Sequence, residues 1–305
     1  MYLEHFGLRE LPFSLTPDTS FFFNYAGHQD ALNTLLIALR SGEGFIKVTG
    51  EVGTGKTLLC RKLLDSLGTR FVTAYIPNPF LTPTALRLAL ADELGVQCAR
   101  NLGQHRLLKL ITQTLIELHA AGKRVVLCLD EAQALPDDSL EALRLLTNLE
   151  TEKHKLLQVV LFGQPELDRR LEQPALRQLK QRITFSCRLE PVERGWLDAY
   201  IEHRLRVAGY AGDTLFEPRA LDAVYRASRG IPRPINILCH KALMSAYGRG
   251  IQRVQRSDAR LAVMDTEGTQ APRALNALRL ILGALGLAMV LAAGIGIYVV
   301  WGVTL

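Results

Sequence analysis

Gly50-Glu51-Val52-Gly53-Thr54-Gly55-Lys56-Thr57, with Leu58 directly behind it, fits the phosphate-binding pattern G-x-x-x-x-G-K-[ST]. In that pattern a glycine-rich turn lets backbone N–H groups close around a polyphosphate, while the lysine and the hydroxyl meet the terminal phosphates and Mg²⁺. The surroundings suit it. Phe45 to Thr49 reads as a short buried strand, and Leu58 to Leu64 carries apolar residues at helical spacing. A strand feeding a helix N-terminus through glycines places the positive end of the helix dipole at the anion. Residues 50–58 are therefore expected to bind a nucleotide, with Lys56 in the catalytic set and Thr57 also a metal ligand.

Downstream, Val125-Val126-Leu127-Cys128-Leu129 runs straight into Asp130-Glu131-Ala132-Gln133. Five apolar residues ending in two carboxylates supply the second half of a nucleotide site. Asp130 can hold Mg²⁺ through water, and Glu131 can polarise the attacking water. One further strand, Phe71 to Ile76, lies between the loop strand and the acidic one, so the acidic strand is placed beside an inserted strand rather than next to the loop. That order, with Glu131, favours hydrolysis over transfer to a bound acceptor. Alternating strands and helices predict a parallel α/β sheet covered on both faces, a three-layer αβα arrangement.

A fourth strand, Leu156 to Phe162, ends at Gly163-Gln164-Pro165. Gln164 either senses the γ-phosphate or caps the helix that opens at Pro165. Leu176 to Gln181 reads as a short basic helix before a strand from Ile183 to Cys187. Arg177 and Arg182 are the candidates for a finger reaching a neighbouring copy's nucleotide, with ordinary surface arginines as the competing reading. Beyond Pro191 the pattern turns helical: Trp196 to Ala208, Pro218 to Ser228 and Pro232 to Tyr247. Arg229-Gly230-Ile231-Pro232-Arg233 opens the last of these, where Arg233 can reach back to the phosphates. Residues 1–190 are thus expected to form the nucleotide-binding core, and 191–264 a helical lid. Ahead of the loop, Tyr2, Phe6, Phe13, Phe21, Phe22, Phe23 and Tyr25 crowd the first 27 residues. Their rings either stack on a base or cover the edge of the core.

Composition bounds the rest. A chain of 305 residues has room for more than one domain, and its 48% hydrophobic content excludes a disordered protein. The formal charge of +6 is mild and scattered, so a nucleic-acid partner is not expected. The five cysteines follow no metal or disulfide spacing. No signal peptide is expected, since Glu4, His5, Arg9 and Glu10 break up the N-terminus. From Leu280 to Trp301 no charge occurs, a run long enough for one transmembrane helix. Arg273 and Arg279 precede it and no basic residue follows, which predicts a single-pass membrane protein with residues 1–279 in the cytoplasm and 265–279 as linker. Ala284, Ala288, Ala292 and Gly296 form a small-residue stripe on which another helix could pack.

Taken together, the motifs resemble the AAA+ ATPases of the general secretion pathway protein A group, including members that serve MSHA-type pilus assembly. The resemblance rests on Phe6-Gly7-Leu8, Pro12-Phe13, the loop at 50–57, Leu129 to Gln133, Leu161 to Leu167 and Gly230 to Arg233. It implies an AAA+ core with a helical lid, Lys56 and Thr57 as Walker A, Asp130 and Glu131 as Walker B, and Arg233 as sensor 2. It further implies a homo-oligomer working with inner-membrane secretion or pilus assembly proteins. Longer members carry a peptidoglycan-binding module after the span. With four residues after Trp301, the expectation here is cell-wall contact through a partner, which favours the pilus-type role. Two other functions remain open: a nucleotide-dependent scaffold with little hydrolysis, and a DNA-handling ATPase related to transposition or helicase-loading proteins.

Overall fold

Five strands of the central sheet run parallel because each is separated from the next by a helical crossover too long for a hairpin. In the computed structural model, which describes residues 2–97, 103–151 and 154–266, the chain begins with α1 (Tyr2–Phe6) and α2 (Ala26–Ser41). Next come β1 (Phe45–Gly50), α3 (Lys56–Ser66), β2 (Phe71–Ile76), α4 (Pro83–Glu93), α5 (Gln104–Ala120) and β3 (Arg124–Leu129). The core closes with α6 (Asp137–Leu146), β4 (Leu157–Gly163), α7 (Pro165–Leu171), α8 (Arg177–Lys180) and β5 (Phe185–Leu189). Four helices follow: α9 (Arg194–Val207), α10 (Pro218–Ser228), α11 (Pro232–Gly248) and α12 (Arg256–Met264). Proline opens α4, α7, α10 and α11, where its missing N–H has no intrahelical partner to lose. At α4 the Thr82 hydroxyl accepts the Ala85 N–H as an N-cap.

Strand order is β2-β3-β4-β1-β5. The acidic strand β3 is separated from the loop strand β1, as expected, but the strand between them is β4. Phe71–Ile76 lies instead at the sheet edge beyond β3. The burial pattern accounts for the exchange: every residue of β4 is buried, as a central strand between two neighbours requires, whereas β2 is largely half-buried. The last strand also lies two residues later than Ile183 to Cys187. Its register is set by pairing Ile46 with Phe185 through Gly50 with Leu189, while the Ile183 N–H is taken by the Lys180 carbonyl in the turn after α8.

Three apolar clusters hold the molecule. One lies under α4–α8 on one sheet face, a second under α2 and α3 on the other, and a third unites α9–α12 with Tyr2, Phe6, Phe13, Phe21 and Tyr25. Most of the N-terminal rings therefore serve a core, that of the four C-terminal helices, and are buried rather than free to stack on a base; Phe22 joins the α2–α3 cluster. Helices α1, α6 and α12 were not expected from the sequence. In α12, Asp258 is fully buried and accepts Arg249 Nη2 at 2.6 Å, Ser245 Oγ at 2.7 Å and the Gln255 N–H at 2.8 Å. Arg249→Ala strips the cation from that carboxylate. Because the guanidinium side chain is 40% exposed, the expected loss is about 2 kcal/mol, with the thermal midpoint down by roughly 4–8 °C in calorimetry.

Among the described residues no helix is long and apolar enough to cross a membrane. The expected span at 280–301, its small-residue stripe, Arg273, Arg279 and the linker beyond 266 lie outside the described residues.

Candidate functional site

The loop between β1 and α3 turns through two left-handed glycines, Gly53 (φ 84°) and Gly55 (φ 97°). At Gly53 a Cβ would fall 2.7 Å from the Cβ of Arg233, so the backbone there runs directly against α11. Lys56 is the first residue of α3 and is only 5% exposed. Its ammonium donates back to the carbonyls of Gly50 (2.9 Å) and Glu51 (3.0 Å). Burial pulls its pKa down, against the opposing pull of Glu131 and Asp130. Thr54, also buried, donates its hydroxyl to the Glu51 carbonyl at 2.9 Å. The loop thereby spends its carbonyls on internal partners.

At the end of β3, Asp130 is 2% exposed and accepts the Thr57 hydroxyl at 2.5 Å. Burial raises its carboxyl pKa, opposed by the Thr57 hydroxyl and the Glu131 N–H. Glu131 adopts a left-handed conformation (φ 53°, ψ 38°), a strained state for a residue with a Cβ, costing about 1 kcal/mol. Its carboxylate accepts one amide N–H from Gln133 and another from Gln164, the latter at 3.1 Å. Gln164 in turn donates its backbone N–H to Gln133 Oε1 at 3.0 Å. This contact depends on the strand order: β4 beside β3 delivers Gln164 to the acidic pair at the same end of the sheet. Gln164 stands at the N-cap of α7, where its side chain makes no capping hydrogen bond and turns to Glu131 instead.

The C-terminal helices close the other side. The Arg233 N–H donates to the Gly53 carbonyl at 3.1 Å. Val52, Gly53, Gly55, Lys56, Thr57, Leu58, Glu131 and Arg233 line one cavity of about 200 Å³, whose far wall includes Tyr200, Asn236 and the strap Ser14 to Pro17. Arg204 is 5% exposed, stacks 4.7 Å from the Phe21 ring and donates to the carbonyls of Pro12 (2.6 Å) and Ser14 (3.2 Å). It thus ties the strap to α9. The Tyr200 hydroxyl donates to Asn236 Oδ1 at 2.9 Å on the same wall. A larger cleft of about 560 Å³ lies at the opposite end of the sheet near His119, Lys123 and His154, and shares no residue with the loop.

Of the residues singled out in the sequence, Gly50, Glu51 and Thr54 form the back of the loop, Asp130 lies behind Thr57, and Gln164 reaches the cavity through Glu131. Arg177 is exposed and Arg182 half-buried, and neither lines this cavity. The sequence reading missed Gln133, Tyr200, Arg204 and His28, whose Nε2 lies 2.9 Å from the Thr54 carbonyl. A polar residue two positions after the acidic pair was the available signal for Gln133; the others come from distant parts of the chain.

The donor set suits Mg²⁺. A hydroxyl and a carboxylate oxygen sit side by side, and among the described residues no cluster of His, Cys, Asp and Glu could hold a metal alone. Mg²⁺ takes one or two protein oxygens and completes its shell from phosphate and water.

Residues 39–171 match the family model described as an AAA domain. General secretion pathway protein A of Aeromonas hydrophila is 47% identical over 268 residues, covering 88% of this chain and 49% of the relative, so the chain spans about half the length of that protein. Among solved structures, the ORC2 protein of Aeropyrum pernix superposes with a TM-score of 0.61 at 18% identity, over 84% of this chain and 73% of that one. A Walker-type ATPase of Pyrococcus abyssi gives 0.58 at 15% identity, over 91% and 79%. At such identities these likenesses show the fold, which is the AAA one. With the loop, the acidic pair and the identity to the secretion protein in agreement, the chain belongs to the AAA ATPases of the general secretion pathway protein A group.

Proposed function

We propose that the protein binds and hydrolyses ATP at the loop of residues 50–58, and couples the cycle to movement of a helical lid (191–264), on which residues 2–21 pack, against the remainder of a core (1–190). The observation that carries this reading is the convergence of Lys56, Thr57, Glu131 and Arg233 on one cavity, with Asp130 bonded to Thr57 behind it and Gln164 bonded to Glu131. Lys56, released from the Gly50 and Glu51 carbonyls, neutralises the terminal phosphates, and the loop N–H groups hold the others. Thr57 and Asp130 would hold Mg²⁺, which supplies charge neutralisation at the phosphates. Glu131 orients water and takes its proton, while the Gln133 and Gln164 carboxamides keep its carboxylate in place. Arg233 links the phosphates to α11, so that nucleotide state biases lid position.

The relationship to general secretion pathway protein A supports a role in secretion; from the sequence motifs the proposal extends to assembly of an envelope complex, either a secretion system or an MSHA-like type IV pilus. On this reading Leu280 to Trp301 anchors the protein in the inner membrane with residues 1–279 in the cytoplasm, copies associate, and Arg177 or Arg182 reaches a neighbour's nucleotide. The test uses the full chain. Membranes are washed with alkaline carbonate, and phosphate release from ATP and Mg²⁺ is measured after detergent extraction. Retention in the pellet with steady turnover is expected. Release into the wash overturns the anchor; retention without turnover favours a nucleotide-dependent scaffold.

A further inference from the structure

Outside the residues of the phosphate loop and the acidic pair, one buried side chain makes contact with the loop backbone from below. His28, in the first turn of α2, is 6% exposed, and its Nε2 lies 2.9 Å from the Thr54 carbonyl. Since a carbonyl only accepts, Nε2 carries the proton and donates, and Nδ1 is left with the lone pair. That Nδ1 is buried and has no hydrogen-bond partner. The ring therefore leaves one of its own nitrogens unsatisfied to deliver the other to the loop. Its orientation is held by packing, with the Tyr25 ring centred 4.8 Å away and Phe22 edge-on at 6.2 Å. Burial holds the imidazole pKa below its ordinary value, which keeps the ring neutral.

The contact falls on a loop peptide that borders the cavity. The Thr54 carbonyl and the Gly55 N–H belong to one planar trans peptide and point in opposite directions. Fixing the carbonyl on the His28 side turns the N–H of Gly55 away from His28, and Gly55 lines the cavity. The fit is close: a Cβ on Gly55 would stand 3.1 Å from His28 Nε2, at a φ of 97° that already disfavours a side chain. On its other flank the loop is held by the Arg233 N–H on the Gly53 carbonyl.

We propose that His28 is a positioning residue for nucleotide binding, holding the Thr54–Gly55 peptide so that its N–H faces the phosphates. This rests on the ATP-site reading above. Three variants of the full chain separate the donor from the packing. Gln carries its amide nitrogen the same number of bonds from Cα as Nε2 and can still donate; Leu fills space without donating; Asn donates from too short a stem. His28→Leu and His28→Asn are expected to weaken binding of a fluorescent ATP analogue at least fivefold and raise KM in parallel, with kcat changed less than threefold. His28→Gln recovers affinity to within threefold of the parent. A loss under fivefold in both Leu and Asn overturns the proposal, as does a Gln variant no better than Asn, or an effect confined to kcat. Should the Leu variant fail to fold, the Gln and Asn pair carries the comparison, with thermal midpoints as the control. Lys56→Ala tests the underlying site by itself: analogue binding that survives it overturns the site reading along with the role given to His28, whereas loss in Lys56→Ala without loss in the His28 variants overturns only the latter.

Discussion

Glu131→Gln is expected to keep ATP bound while lowering steady-state phosphate release at least a hundredfold. The substitution preserves length and planarity, and its amide oxygen can still accept the N–H groups that Gln133 and Gln164 direct at the present carboxylate. Neither Lys56 nor the loop carbonyls it touches contact this side chain by hydrogen bond, so the phosphate cradle keeps its shape. What disappears is the basic oxygen that takes a proton from water, and general-base removal typically costs roughly 10²–10⁴ in rate. The measurement pairs an equilibrium binding assay with a phosphate-release assay on the same preparation. Turnover within threefold of the parent would remove Glu131 from the chemistry.

Lys56→Ala acts at the other end of the cycle and is expected to abolish binding at ordinary ATP concentrations. The ammonium is buried at the start of α3, beside loop carbonyls that hold it only through two hydrogen bonds. Charge-assisted contacts to phosphate are worth about 1.5–3 kcal/mol each, so losing the cation costs at least a hundredfold in affinity, or about 2.7 kcal/mol. The truncation also leaves Asp130 and Glu131 facing the incoming polyphosphate with less positive charge to offset them. Isothermal titration with ATP and Mg²⁺ reads the change directly; an affinity within fivefold of the parent would contradict the role assigned to Lys56.

The parts of this site that were legible in the sequence are those whose chemistry is local. Gly50 to Thr57 and Asp130-Glu131 are contiguous, and their flanking strands and helices declare themselves by apolar spacing within a few residues. The helices opened by Pro165, Pro218 and Pro232 were legible for the same reason, since a first-turn proline acts on its own neighbours. Strand order was not. Two strands competed for the place between β3 and β1, and only long-range pairing put β4 there and β2 on the far side of β3. Gln164 could be picked out as a polar residue past a strand end, but its bond to Glu131 follows from that pairing. The aromatics of the first 27 residues were visible as a group. Which core they fill was not, because composition carries no information about a partner almost 200 residues away in the chain, as in the bond from Arg204 to the Pro12 carbonyl. His28 was hidden twice over, as a lone histidine in an ordinary amphipathic helix whose acceptor is a backbone carbonyl.

The N-terminal segment has a mechanical consequence. Because residues 2–21 pack with α9–α12, the polypeptide passes between that helical body and the sheet at two places, near Phe22 to Tyr25 and again near Glu190 to Val192. The Tyr25 hydroxyl donates to the Glu190 carbonyl at 3.2 Å, so the two crossings are fastened to each other. A body joined by a single strand can swing and twist freely; one hung on two adjacent pins swings about the line between them, like a door. The four C-terminal helices are mounted at two such points, and the Val192 N–H on the Gly230 carbonyl at 2.8 Å fastens the segment leading into Arg233 to the second of them.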